Sequence, residues 1–76
     1  MQFSTDNGYS IDYKEVANGV FVGIIYGQDI DNGSQAAMGY SVDEVIARLK
    51  DLSFNAQIPE SVWNDMSSTI KDYRFN

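Results

Sequence analysis

The sequence predicts an α+β fold: a four-stranded antiparallel meander followed by two α-helices packed on one face, in a single domain spanning residues 1–76. Three observations lead there. Asn-Gly pairs recur at Asn7-Gly8, Asn18-Gly19 and Asn32-Gly33. A two-residue Asn-Gly loop is the strongest short-range hairpin signal, because both central positions of a type I′ turn need φ > 0. Between the second and third pairs runs Val20-Phe21-Val22-Gly23-Ile24-Ile25-Tyr26, apolar at both parities, as a strand that buries something on each face is. After Gly39 the apolar spacing becomes helical.

If all three pairs are two-residue loops, the strands fall at about 1–6, 9–17, 20–31 and 34–40. Turn register then fixes the partners. Around Asn18-Gly19, Glu15 faces Val22, Tyr13 faces Ile24 and Ile11 faces Tyr26. Around Asn32-Gly33, Ile25 faces Tyr40, Gly27 faces Met38 and Asp29 faces Ala36. One face so built carries Tyr9, Ile11, Tyr13, Val22, Ile24 and Tyr26, with Ala37 and Gly39 beside them. Its small residues would let a helix approach, so it is expected to be the core face. The opposite face carries Phe3, Val16, Phe21, Ile25, Met38 and Tyr40 with Ser10, Asp12 and Lys14, and is expected to be a partly exposed apolar patch rimmed by acid.

The first helix opens at Ser41-Val42-Asp43-Glu44, a capping-box pattern in which the Ser hydroxyl and the Glu carboxylate serve each other's backbone N–H. Tyr40 and Val45 are spaced for a hydrophobic staple. Asp43 and Glu44 suit the positive end of the helix, and Arg48 and Lys50 the negative end. Val42, Val45, Ile46, Leu49 and Leu52 form one stripe, and the helix should stop near residues 53–55. Pro59 fits the first position of a second helix, whose Val62, Trp63, Met66, Ile70 and Tyr73 share a side. Ser67-Ser68-Thr69 has mediocre helix propensity, so this helix needs tertiary contacts.

Composition narrows function. An apolar content of 43% with five Tyr, four Phe and one Trp supports a packed globule rather than a disordered chain. The chain has no Cys, which fits a reducing compartment. Residues 1–6 carry neither a basic nor an apolar leader region, so no signal peptide is expected. No apolar run approaches the ~20 residues that cross a bilayer. The expectation is a cytosolic protein, in a bacterium or a phage-infected host, with no membrane contact.

The net charge of −6 is unevenly spread. Residues 1–47 hold seven carboxylates against Lys14 alone, and residues 48–76 hold four against four basic groups. Direct nucleic-acid binding needs Lys and Arg against phosphate, so a basic protein partner is favoured instead. With no His and no Cys, the usual zinc ligands and the Ser-His and Cys-His pairs are missing. Asp29-Ile30-Asp31-Asn32-Gly33 resembles a calcium loop only superficially: with Gly33 as the turn glycine, Gln28 and Ile30 occupy ligand positions. No phosphate-binding glycine motif occurs. No catalytic residue, metal or cofactor is assigned, and the chain reads as non-enzymatic.

The function expected is a small inhibitor that binds a basic nucleic-acid-handling protein. The candidate contacts are Asp12, Glu15, Asp29, Asp31, Asp43 and Glu44, with Phe21 and Tyr40 as aromatic anchors. A second hypothesis is a structural protein that self-associates, as a homodimer through the exposed sheet face, using Phe3, Phe21, Ile25, Met38 and Tyr40. A third, an enzyme or small-ligand binder using a carboxylate pair, predicts a closed polar pocket.

The stretch Gly39-Tyr40-Ser41-Val42-Asp43-Glu44-Val45-Ile46-Ala47-Arg48-Leu49-Lys50, with the strand Val20–Tyr26 before it, resembles HicB-like antitoxins over residues 9–52. In that family a partial dsRBD-like domain runs through three strands into a helix opened by Gly-x-Ser/Thr-x-x-Glu, and Gly39, Ser41 and Glu44 fill the pattern. The resemblance implies a non-enzymatic inhibitor of a small basic RNA-cleaving toxin. The family's Pro-containing segment between strands is replaced here by Gly27-Gln28-Asp29-Ile30-Asp31, and no DNA-binding module is expected after the helices. In size, acidity and layout the chain also resembles small phage anti-CRISPR proteins. That format implies occupation of a nucleic-acid-binding groove on an effector.

Overall fold

In the computed structural model, which describes residues 1–75, the α+β architecture is as the sequence predicts. Strands β1 (Gln2–Ser4), β2 (Ser10–Ala17), β3 (Val20–Tyr26) and β4 (Ser34–Gly39) form one antiparallel sheet in the order β1-β2-β3-β4. Helices α1 (Val42–Leu52) and α2 (Glu60–Phe75) follow. Helix α1 lies over β3 and β4 and packs against α2. The core between helices and sheet gathers Tyr9, Ile11, Tyr13, Phe21, Ile25 and Ala37 from the sheet. From the helices come Val42, Val45, Ile46, Leu49, Trp63, Met66 and Ile70, all buried.

The pairing departs from the expected register, and one residue causes the first departure. Ala17 pairs with Val20 across Asn18-Gly19, so this is a two-residue loop. Only Gly19 has positive φ, at 74°, and Asn18 does not, so the loop is not type I′. A β-bulge follows at once: the register shifts between Glu15 and Ala17, leaving Val16 as the extra residue. Beyond it Glu15 faces Phe21, Tyr13 faces Gly23 and Ile11 faces Ile25, one residue away from the expected partners. Because side chains alternate, a one-residue slip exchanges the faces of a strand. Phe21 and Ile25 therefore point into the core, while Val22, Ile24 and Tyr26 point away from the helices. This corrects the expected face assignment for β3.

The other loops differ for related reasons. Between β1 and β2, Thr5 and Tyr9 bracket a three-residue loop, with Thr5 N–H donating to Tyr9 C=O at 2.9 Å. Of Asn7 and Gly8, only Gly8 has positive φ. Phe3 then pairs with Ile11 and packs on the core side, half-buried, rather than on the open side. Between β3 and β4, both Asn32 and Gly33 have positive φ, but they end a longer loop instead of forming a hairpin pair. Strand β3 stops at Tyr26, and Gly27 N–H closes onto Gly33 C=O at 3.1 Å. Inside that loop Ile30 is buried against the core. Burial of this one apolar side chain in an acidic stretch accounts for the longer loop. Phe21 consequently faces Gly39, Gly23 faces Ala37 and Ile25 faces Gln35, in place of the expected pairing of Ile25 with Tyr40, Gly27 with Met38 and Asp29 with Ala36.

The helices follow their sequence signals closely. Ser41 Oγ accepts from Glu44 N–H at 3.1 Å, and Glu44 Oε2 reaches back to Tyr40 N–H at 3.4 Å. Helix α1 ends at Ser53, whose N–H and hydroxyl both donate to Leu49 C=O. Leu52 and Tyr73, expected on the buried stripes, are exposed, as is Tyr40, the expected staple partner of the fully buried Val45. The approach of α1 to the sheet depends on Gly23. A Cβ there would lie 2.7 Å from Leu49 Cδ1 and 2.8 Å from Val45 Cγ1.

Candidate protein-binding surface

The bulge at Val16 decides which side chains the sheet shows to solvent. Both helices occupy the side of Ile11, Tyr13, Phe21, Ile25 and Ala37. Three cross-strand rows make up the other face: Lys14–Val22–Met38, Asp12–Ile24–Ala36 and Ser10–Tyr26–Ser34. Strands β3 and β4 supply an apolar stripe of Val22, Ile24, Tyr26, Ala36 and Met38, continued at the end of β4 by Tyr40. Tyr40 is 76% exposed and Met38 53%. Strand β2 gives the same face a charged flank, Asp12 and Lys14. Two of the three rows thus pass from charged to apolar across the sheet, and the third has serine at both ends.

The eight residues singled out from sequence meet different fates. Phe21 is 4% exposed and stacks on Tyr13, with ring centroids 5.7 Å apart. It is a core residue and cannot act as an exposed anchor; the register slip is the reason. Tyr40 stays available. Asp12 lies on the open face, its Oδ1 3.7 Å from the ammonium of Met1. Glu15 turns to the hairpin loop, where its Oε2 accepts from Gly19 N–H at 2.9 Å. Asp43 and Glu44 are engaged at the helix side: Asp43 with Lys71 at 3.2 Å, and Glu44 with Arg48 at 2.9 Å. Exposed pairs of this kind are worth roughly 0–1 kcal/mol, but they neutralise the two carboxylates locally.

Asp29 and Asp31 sit together in the loop between β3 and β4, at the opposite end of the sheet from Asp43 and Glu44. Asp29 Oδ2 accepts from Tyr9 Oη at 2.7 Å. This hydrogen bond, reinforced by burial and by the carboxylate's negative charge, holds the Tyr9 hydroxyl above its ordinary pKa. Among the described residues, the Asp31 carboxylate makes no hydrogen bond or ion pair, and its backbone C=O accepts from Gln35 Nε2 at 3.1 Å. The acid is therefore split into a compensated end at α1 and an uncompensated end at this loop.

The self-association hypothesis loses Phe3, Phe21 and Ile25 to the core and keeps Met38 and Tyr40. Sequence reasoning missed Val22, Ile24, Tyr26 and Ala36 as surface residues. The signal that could have exposed the error is Gly23, the one small residue of β3, which marks the side a helix approaches. A cleft of about 450 Å³ between β2 and the last turns of α2 is lined by Met1, Tyr13, Lys14, Glu15, Phe21, Ile70 and Tyr73. Its lining offers Lys14 and Glu15 as charged groups on an otherwise largely apolar wall. Among the described residues, no helix is long and apolar enough to cross a membrane.

Searched against family models, curated proteins and solved structures, the chain matched none.

Proposed function

We propose that this chain is a small non-enzymatic inhibitor that binds a basic nucleic-acid-handling protein in the cytosol, of the anti-CRISPR kind, and occupies a surface that would otherwise hold nucleic acid. The observation that carries this reading is the open sheet face: an apolar stripe beside a strongly acidic half of the chain. Apolar centres with charged rims are how specific protein interfaces are built. Complementary charge would speed encounter with a basic groove and make it salt-sensitive. In this reading Ile24, Met38 and Tyr40 fill the centre, and Asp12, Asp29 and Asp31 meet the partner's lysines and arginines.

The test is a binding series on purified RNA- and DNA-guided effectors and nucleases, at several salt concentrations. For a partner so found, Asp29→Lys/Asp31→Lys should slow association about tenfold or more and flatten its salt dependence. Unchanged affinity and salt slope would sink the electrostatic reading.

The order β2-β3-β4-α1 with a working Ser41/Glu44 cap favours a second reading, a HicB-like antitoxin. Its test is co-expression with a small basic RNA-cleaving toxin, where restored growth supports it and unrelieved toxicity counts against it. Self-association is separated from both by light scattering, since a monomer at every concentration eliminates it.

A further inference from the structure

Strand β4 ends the sheet, and apart from one side chain reaching over from α1 its outer side carries none of the devices that usually blunt an edge. Ser34–Gly39 has no charged residue and no proline, and its ladder to β3 runs without a bulge, so the strand is an open template for pairing. A side chain stands where a neighbouring strand would be: Arg48, reaching from α1, donates from Nη1 to Met38 C=O. The Met38 carbonyl must then point away from β3. Alternation along an antiparallel strand turns the N–H and C=O of Ala36 the same way. The side chains of Ala36 and Met38 lie on the open face in the rows of Ile24 and Val22.

Charge distinguishes the two ends of this edge. Where β4 finishes, Glu44 is paired with Arg48, and Asp43 with Lys71. Where it begins, Asp29 and Asp31 have no cationic partner among the described residues. A second copy of the chain would bring another −6 to the same edge, and that repulsion disfavours it as the occupant. A cationic strand suits it, and Arg48 already shows a guanidinium donating to an edge carbonyl.

We infer that β4 accepts a fifth strand from the basic partner: an extended segment whose alternate apolar side chains continue the open face, with lysine or arginine at the end beside Asp31. This rests on the basic-partner reading and specifies how that partner is held. Main-chain hydrogen bonds would supply affinity, and the side-chain rows and the acidic end would supply specificity. Arg48 would release Met38 C=O and remain on Glu44.

The probe is an eight-residue peptide of alternating valine and threonine with two lysines at one end, titrated into the full ¹⁵N-labelled chain. Two derivatives are methylated on alternate backbone nitrogens, one in each phase. The expected result is slowed hydrogen exchange at the Ala36 and Met38 amides. One methylated phase should bind about tenfold more weakly, having lost two or three inter-strand hydrogen bonds, and the other about as well as the parent. Equal binding by both phases, or binding without protection at Ala36 and Met38, overturns strand addition while leaving the charge-reversal test of the basic-partner reading untouched. No binding of any peptide at millimolar concentration also overturns it. So does a dimer in sedimentation whose β4 amides are protected without peptide, which would make a second copy the occupant.

Discussion

Replacing Gly23 by alanine adds one methyl group at the point where α1 comes closest to the sheet. That Cβ would stand 2.7 Å from Leu49 Cδ1 and 2.8 Å from Val45 Cγ1, and Leu49 and Val45 are both fully buried. Neither can swing into solvent to make room. Either α1 lifts off the sheet or two packed side chains leave their rotamers. Overpacking of this kind costs about 1–3 kcal/mol, while exchanging glycine for alanine inside a strand returns about 0.5–1 kcal/mol. Two contacts this short, both to fully buried side chains, put the cost in the upper half of the overpacking range, so a net loss of about 1–2.5 kcal/mol follows, out of the roughly 4–11 kcal/mol expected for 76 residues. For a domain of this size that lowers Tm by roughly 5–15 °C. Urea and thermal unfolding followed by the fluorescence of Trp63, itself buried, would measure it. A Gly23→Ala chain as stable as the parent, or more so, would refute the placement of Gly23 under α1 and the orientation of β3 with it.

Two further outcomes follow from the hydrogen bonds. The Tyr9 hydroxyl keeps its proton to a higher pH in the folded chain than in the unfolded one, so the stability from its bond to Asp29 is complete below the ordinary tyrosine value of about 10, declines as pH rises past that value, and is lost above the raised folded one. In an absorbance titration at alkaline pH, Asp29→Asn should move one tyrosine step down; an unchanged profile would show that the contact is not populated. Ser41→Ala removes the acceptor for Glu44 N–H and should cost about 1 kcal/mol in urea unfolding; no loss would mean the cap is replaced by water without penalty.

The sequence was informative wherever a single local signal decides the structure. The Ser41-to-Glu44 cap, the stop at Ser53 and the buried Trp63, Met66 and Ile70 all rest on side chains acting within a turn or two. The α+β meander is legible for the same reason, since the glycine of each Asn-Gly pair does take positive φ. Strand facing was not. It depends on whether Asn18 joins Gly19 at positive φ, and a strand apolar at both parities supplies no pattern to choose between the alternatives. The bulge at Val16 settled it, exchanging Phe21 and Ile25 for Val22 and Ile24. Ile30 misled for a different reason. Alternation continues through it as if β3 were longer, whereas its burial bends the chain into a loop and moves β4 along β3. Of the candidate site, Asp12, Asp29, Asp31 and Tyr40 were readable as surface groups. The pairing of Asp43 and Glu44 with Lys71 and Arg48 is in part tertiary: Lys71 comes from the other helix.

The open face, and the proposals that rest on it, stand or fall on which of two adjacent isoleucines is buried. Ile24→Lys and Ile25→Lys, compared by urea unfolding, test this directly. Ile24→Lys should remain folded and lose about 1 kcal/mol, the span of strand propensity at a half-exposed site. Ile25→Lys should fail to fold, because it places an unpaired ammonium in a fully buried position. A folded Ile25→Lys chain alongside an unfolded Ile24→Lys chain would contradict the account and return Phe21 and Ile25 to the surface.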